Sequence, residues 1–280
     1  MPRRPNSLDG LSTELPDSRT SNLSEMSTAE IMKAMNDADS SVAEAVRRAL
    51  PKICEAAEAV SMAINSGGRV FYLGAGTGGR IAVQDAAEVP PTFGFGSGRF
   101  HAIIAGGNRA LRKAVENAED DTELAAAELK KRRAGTRDAV VGLTASGRTP
   151  FVVSGLKFAS TAGCRTICLT SNRGSPITVV ADVQIVVETG PEVLAGSTRL
   201  KAGTAQKLVL NMLSTFAGIR AGRVIGNRMV GMKPTNEKLR VRAVGIVSDV
   251  AQCSSEMAKK ALVRHGYDIE KAIEHVRRSP

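Results

Sequence analysis

Tryptophan is absent, and the chain of 280 residues holds only two tyrosines and seven phenylalanines. That scarcity argues against the aromatic stacking platforms that read single-stranded nucleic acid. It suits helices packed closely on a sheet through small apolar side chains. Only three histidines occur, His101, His265 and His275, too far apart in the chain to suggest a metal-ligating set. His101 is read as strand packing and His275 as part of a terminal helix. The four cysteines, Cys54, Cys164, Cys168 and Cys253, contain no CxxC pair. They are read as reduced thiols of the core, where free cysteine packs as a small hydrophobe. No apolar run is long enough to span a bilayer. The start, MPRRPNSLDG, has two arginines but no apolar stretch behind them, so no signal peptide is expected. A cytoplasmic protein without a membrane partner follows as the expectation.

Positive charge is in excess, with 38 Lys and Arg against 28 Asp and Glu, a net +10. Such a field draws nucleic acid and small anions alike. With no helix-turn-helix, zinc-finger or RNA-binding signature beside it, the reading is an anionic small substrate and no nucleic-acid partner.

Residues 1–25 are polar and lack a sustained period, which predicts a flexible or partner-wrapping arm. A main domain is expected over 26–235 and a helical subdomain over 236–280. Ser27 and Glu30 form a capping box, and a second helix is expected from Val42 to Asn65, with Pro51 as a break or kink and Gly67 and Gly68 as its stop. The runs RVFYLG, FHAIIAGG, DAVVGLTA, CRTICLTS and DVQIVVE are the strand candidates, most of them separated by helical stretches. That alternation predicts an α/β fold: a doubly wound, mostly parallel five-stranded sheet flanked by helices, with ligands held beyond the carboxyl ends of its strands. A long helix from Gly203 to Ala221 closes the domain, and a small C-terminal helical bundle follows Pro234.

Three loops at predicted strand ends share one chemistry. GAGTGGR offers Gly76, Thr77 and Gly78; TASGRTP offers Ser146, Gly147, Arg148 and Thr149; TSNRGSP offers Ser171 and Asn172. Each precedes a helix, whose free N–H groups and dipole favour an anion. The first loop also has GxGxxG spacing, so a dinucleotide site and a plain structural turn stay open for it. No acidic residue closes the next strand, as a dinucleotide site would want. Taken singly, the Ser, Thr and Asn residues could be ordinary N-caps; their repetition favours a phosphate.

These loops resemble those of the sugar isomerase (SIS) fold, which holds phosphosugars. GPEVLAGSTRLKAGTAQK, running on into LVLNMLST and NEKLRVR, narrows the resemblance. Together with DAAEVPPTFG, IAGGNRALRKAVENAED and ASGRTP, it is similar to the N-acetylmuramic acid 6-phosphate etherase family from about Thr13 to the C-terminus. The resemblance implies a homodimer that cleaves the D-lactyl ether of a phosphorylated amino sugar without metal or organic cofactor. It implies Glu88 as the acid and Glu119 as the second catalytic carboxylate, and adds Ser197 and Lys201 to the substrate-contacting set. A solvated helix face is the other reading of Lys201 and of Lys207. Gly78 stands where that family usually has serine, and Arg173 is a candidate cation to compensate.

The chemistry explains the need for two carboxyl groups. In the open-chain sugar the aldehyde acidifies the carbon-2 proton, and the lactyl oxygen on carbon 3 is the leaving group. A base must take that proton, an acid must protonate the departing oxygen, and water then adds to the unsaturated aldehyde. Glu119 is expected as base. Rival readings are a non-catalytic sensor like glucokinase regulatory protein, which shares the diagnostic segment, and a phosphosugar isomerase. The C-terminal GYDIEKAI resembles ubiquitin-associated-type bundles and is assigned to packing or assembly.

Overall fold

Every expected strand forms in the computed structural model, which describes residues 10–96 and 98–278. The strands are β1 (Val70–Gly74), β2 (Phe100–Ile104), β3 (Ala139–Leu143), β4 (Arg165–Thr170) and β5 (Val183–Val186). They pair in the order β2-β1-β3-β4-β5, all parallel. β1 and β3 are buried at every position, as strands covered on both faces must be. The side-chain alternation divides the core. Val70 and Tyr72 face α2 (Val42–Asn65), α3 (Gly76–Phe93) and α7 (Lys201–Arg220). Phe71 and Leu73 face α4 (Leu124–Lys131), α5 (Pro150–Thr161) and α6 (Pro176–Val180).

The capping box of Ser27 and Glu30 opens α1 (Thr28–Ser40), of which only Ala38 is buried. Helix α2 has the expected bounds but runs through Pro51 as one helix. Helix α3 likewise passes Pro90 and Pro91 and stops at Gly94, in left-handed geometry at φ 67°. Of the arm expected over 1–25, residues 1–9 lie outside the described residues. Residues 10–25 are held against the carboxyl edge of the sheet: Thr13 is fully buried, and Thr20 donates to the Val193 carbonyl at 3.0 Å. No described helix is long and apolar enough to cross a membrane.

Cys164 and Cys168 are buried, and desolvation pushes their thiols up to about 11 and about 12. Cys54, expected in the core, is exposed on α2 instead. His101 packs as expected, stacked on Phe71 at 5.0 Å.

One buried carboxyl ties the first face together. Asp85 of α3 accepts from the Tyr72 hydroxyl (3.0 Å), Asn211 Nδ2 (2.8 Å) and Ser214 Oγ (3.1 Å), the last two on α7. Desolvation raises its pKa against those three bonds. Asp85→Ala strands three donors at once and is expected to cost about 2–4 kcal/mol in urea unfolding. The raised pKa means that the folded chain binds more protons than the unfolded one above the ordinary carboxylate range. Stability therefore falls as pH rises through that window, and Asp85→Asn removes this dependence.

Beyond α7 a hairpin, β6 (Val224–Ile225) and β7 (Arg228–Met229), leads to α8 (Glu237–Ala251), α9 (Ser255–Arg264) and α10 (Ile269–Arg278). Their shared core of Ala243, Val247, Leu262 and Ile273 also takes in Val230 and Met232, ahead of the boundary expected at 236. The bundle abuts the main domain where Gly94 and Gly231 meet. A Cβ on Gly94 would stand 2.0 Å from the Gly231 carbonyl oxygen.

Candidate active site

The chain leaves β1 and β3 toward opposite sides of the sheet, so their carboxyl ends flank the crevice in which doubly wound folds bind ligands. Two helices begin at this crevice without a side-chain cap: α3 behind Ala75, and α5 behind Thr149 with Pro150 at its start. The first N–H groups of α3 are open to an anion, whereas Pro150 at the start of α5 has none and Val152 and Val153 donate to the Thr149 carbonyl. A third, α7, is closed: the fully buried Glu192 accepts from the N–H of Lys201 and of Ala202, both at 3.0 Å.

The loop after β3 is organised by Thr144, which sequence reasoning missed. Its hydroxyl meets those of Thr149 (2.7 Å) and Ser146 (3.2 Å) and accepts from the Gly147 N–H (3.2 Å). Gly147 has φ 71°, and a Cβ there would lie 2.0 Å from Ser175 Oγ on the next loop. Gly147→Ala is therefore expected to force the two loops apart and weaken substrate binding about tenfold or more. Gly174→Ala, at φ 65° with nothing within 4 Å of the new methyl, carries the backbone strain without the collision and serves as control. Equal KM values for the two variants would count against this reading.

Between the two strand ends lies a cleft of about 340 Å³. Of the expected site residues, Gly76, Thr77, Gly78, Ser146, Thr149 and Glu119 line it, and Glu14, Thr144, Thr198 and Gln206 join them. Glu119 sits in a single 3-10 turn, Ala118–Asp120, rather than on the helix face its acidic neighbours suggest. Asn117 enters that turn in left-handed geometry (φ 59°), which asparagine tolerates, while Ala118 packs into the second core. The carboxylates of Glu14 and Glu119 have no hydrogen bond or ion pair among the described residues. At Gly78, a Cβ would lie 3.1 Å from Gln206 Oε1 and 3.5 Å from Leu143 Cβ. The Gln206 amide thus stands against the bare glycine and supplies a polar group there.

Other expected residues do not line this cleft. Asn172 spends its amide on the N-terminal segment: Oδ1 accepts from Ser12 N (2.8 Å) and Oγ (3.0 Å), while Nδ2 donates to Thr13 Oγ1 (3.1 Å) and the Ala145 carbonyl (2.8 Å). Lys201 is buried and donates to the Thr189 carbonyl at 2.7 Å, and desolvation lowers its pKa. Lys207 is exposed. Ser171 is buried, with its N–H bonded to the Ala145 carbonyl, and Ser197 is half-buried beside Thr198. The Arg148 N–H donates to Ser146 Oγ at 3.2 Å. Arg173, read as a compensating cation, is instead paired with Glu188 at 2.8 Å on the surface.

Glu88 is exposed, accepts a long 3.4 Å bond from Gln84 and is absent from the cleft wall. It lies eleven positions beyond Thr77 along α3, about 16 Å at ~1.5 Å per residue. The helix runs back toward the amino ends of the strands, as Asp85 opposite Tyr72 marks, so within one chain it carries Glu88 away from the strand ends that flank the cleft.

Residues 52–160 match the glucokinase regulatory protein N-terminal SIS domain, 118–215 the SIS domain, and 226–280 the C-terminal lid domain of glucokinase regulatory protein. Among solved structures, a phosphoheptose isomerase from Francisella tularensis superposes with TM-score 0.56 at 20% identity, covering 69% of this chain and all of that one. GmhA, a phosphoheptose isomerase from Neisseria gonorrhoeae, gives 0.52 at 18% identity over 68% of this chain and 97% of its own. These likenesses establish the fold. N-acetylmuramic acid 6-phosphate etherase of Halalkalibacterium halodurans is 50% identical over 266 residues, 95% of this chain and 89% of its own length. That of Clostridium beijerinckii is 47% identical over 95% of this chain and 88% of its own. Identity at this level along nearly the whole chain, with the sheet and cleft of a SIS domain, makes the protein a member of the N-acetylmuramic acid 6-phosphate etherase family.

Proposed function

We propose that the protein is a carbon–oxygen lyase that cleaves the D-lactyl ether of N-acetylmuramic acid 6-phosphate, yielding N-acetylglucosamine 6-phosphate and D-lactate. The observation that carries this reading is the carboxylate of Glu119, unpaired among the described residues, in the same cleft as the open N-terminus of α3 and the hydroxyls of the loop after β3. The N–H groups at the start of α3 and the hydroxyls of Thr77, Ser146 and Thr149 are donors for the phosphate. Glu119 takes the carbon-2 proton. The lactyl oxygen leaves with a proton from Glu88, and water adds back at carbon 3. No electron acceptor is needed, because the aldehyde of the substrate holds the charge.

For Glu88 to act, it must come from a second copy, since within one chain it lies three turns of α3 away. A homodimer in which α3 of one subunit faces the cleft of the other meets that need. The substrate's phosphate, which keeps such sugars from crossing membranes, makes the cytoplasm the fitting compartment.

Incubating the purified protein with N-acetylmuramic acid 6-phosphate and assaying D-lactate tests the reading. Sustained release is expected. Binding without turnover would support the sensor, and an aldose–ketose change without lactate would support the isomerase.

A further inference from the structure

The elimination begins from an open-chain aldehyde, whereas a six-carbon aldose phosphate rests mainly as a ring. Opening that ring moves one proton from the anomeric hydroxyl to the ring oxygen. Neither task assigned to Glu119 or Glu88 includes this step. Among the thirteen residues around the cleft, only Glu14 and Glu119 carry a carboxyl group or any other acid–base side chain; the rest are glycines, aliphatic residues, hydroxyls and one amide.

Glu14 is held there by specific contacts. Thr13 is fully buried, its carbonyl accepts from the Gly196 N–H at 3.1 Å, and its hydroxyl accepts from Asn172 at 3.1 Å. Ser12 is bound to the same Asn172. Gly196 leaves the carboxylate room: a Cβ there would stand 2.8 Å from Glu14 Oε2. No protein group among the described residues neutralises or occupies that carboxylate. An ionised carboxylate only accepts, so it belongs beside a hydroxyl of the sugar and away from the phosphate.

We propose, resting on the etherase reading, that Glu14 is the residue that opens the sugar ring. Its carboxylate takes the proton from the anomeric hydroxyl as C1=O forms. The C1–O5 bond breaks with its electron pair on O5, and the same proton passes from Glu14 to O5. Nothing is oxidised or reduced, and Glu14 returns to its ionised form. The segment 11–14 and its Asn172 anchor are then a working wall of the site.

Ring opening without elimination is visible as exchange between the α and β anomers. Glu119→Gln keeps the cleft but blocks the carbon-2 step, so in that protein N-acetylmuramic acid 6-phosphate can be followed by NMR exchange spectroscopy. The Glu119→Gln protein is expected to accelerate anomer exchange over the free sugar, and adding Glu14→Gln should slow it tenfold or more at saturating substrate. Binding of the sugar phosphate, measured by calorimetry, should stay within threefold. Adding Glu14→Asp instead should restore part of the exchange. Equal exchange with and without Glu14, loss of exchange that only tracks loss of binding, or identical Gln and Asp variants would each overturn the proposal. If the unsubstituted protein releases no D-lactate, the etherase reading fails instead, whatever the exchange experiment gives.

Discussion

Glu119→Gln is expected to abolish D-lactate release and carbon-2 hydrogen exchange together, while substrate binding changes only a few-fold. The amide is isosteric with the carboxylate but cannot accept the proton. Positioned proton transfer contributes roughly 10²–10⁴-fold, so a fall in kcat of that order is the prediction. Glu119 has no partner among the described residues whose loss would unsettle the fold, and its 3-10 turn is set by Asn117 and Ala118. Stability should therefore be nearly unchanged. Rapid carbon-2 exchange in deuterium oxide by the Gln variant would move the base to another residue.

Mixing two dead proteins should produce a live one. Glu88→Gln is expected to lose lactate release but keep carbon-2 exchange, because the acid acts after the base. If Glu88 reaches its partner's cleft, a dimer of one Glu88→Gln and one Glu119→Gln subunit has one site with both carboxyls intact and one with neither. Random reassembly of equal amounts then recovers about a quarter of the unsubstituted activity, since half of the dimers are mixed and each has one working site. Were both groups to act within one chain, every site in the mixture would lack one of them and no activity would return. The result thus decides whether the about 16 Å of α3 between Thr77 and Glu88 is spanned by assembly.

Legibility in the sequence followed how local each cause was. The five strands could be read because each is a short apolar run closed by small or polar residues, and a parallel sheet buries such runs on both faces. The bounds of α2 followed from its apolar period and from Gly67 and Gly68. The loops after β1 and β3 reach the cleft as their glycines and hydroxyls suggest, since a helix start at a strand end is a local event.

What depended on distant partners was not readable. Asn172 looked like an anion ligand, but its amide is taken by Ser12 and Thr13, about 160 positions away. Lys201 looked like a solvated or substrate-facing cation and is buried against the Thr189 carbonyl. Glu14 lies in a polar stretch without periodicity and gave no signal at all, and Gln206 became visible only as the side chain standing against Gly78. Glu119 was found by resemblance: its acidic neighbours read as a solvated helix, and only the turn after Asn117 brings it to the cleft.

Elimination across carbons 2 and 3 followed by addition of water leaves an isotopic signature in both products. With N-acetylmuramic acid 6-phosphate turned over in deuterium oxide enriched in oxygen-18, mass spectrometry of both products reads which bond broke. Deuterium is expected at carbon 2 and solvent oxygen at carbon 3 of N-acetylglucosamine 6-phosphate, with the lactate retaining its original ether oxygen. Solvent oxygen in the lactate hydroxyl, or a carbon 2 without deuterium, would contradict it.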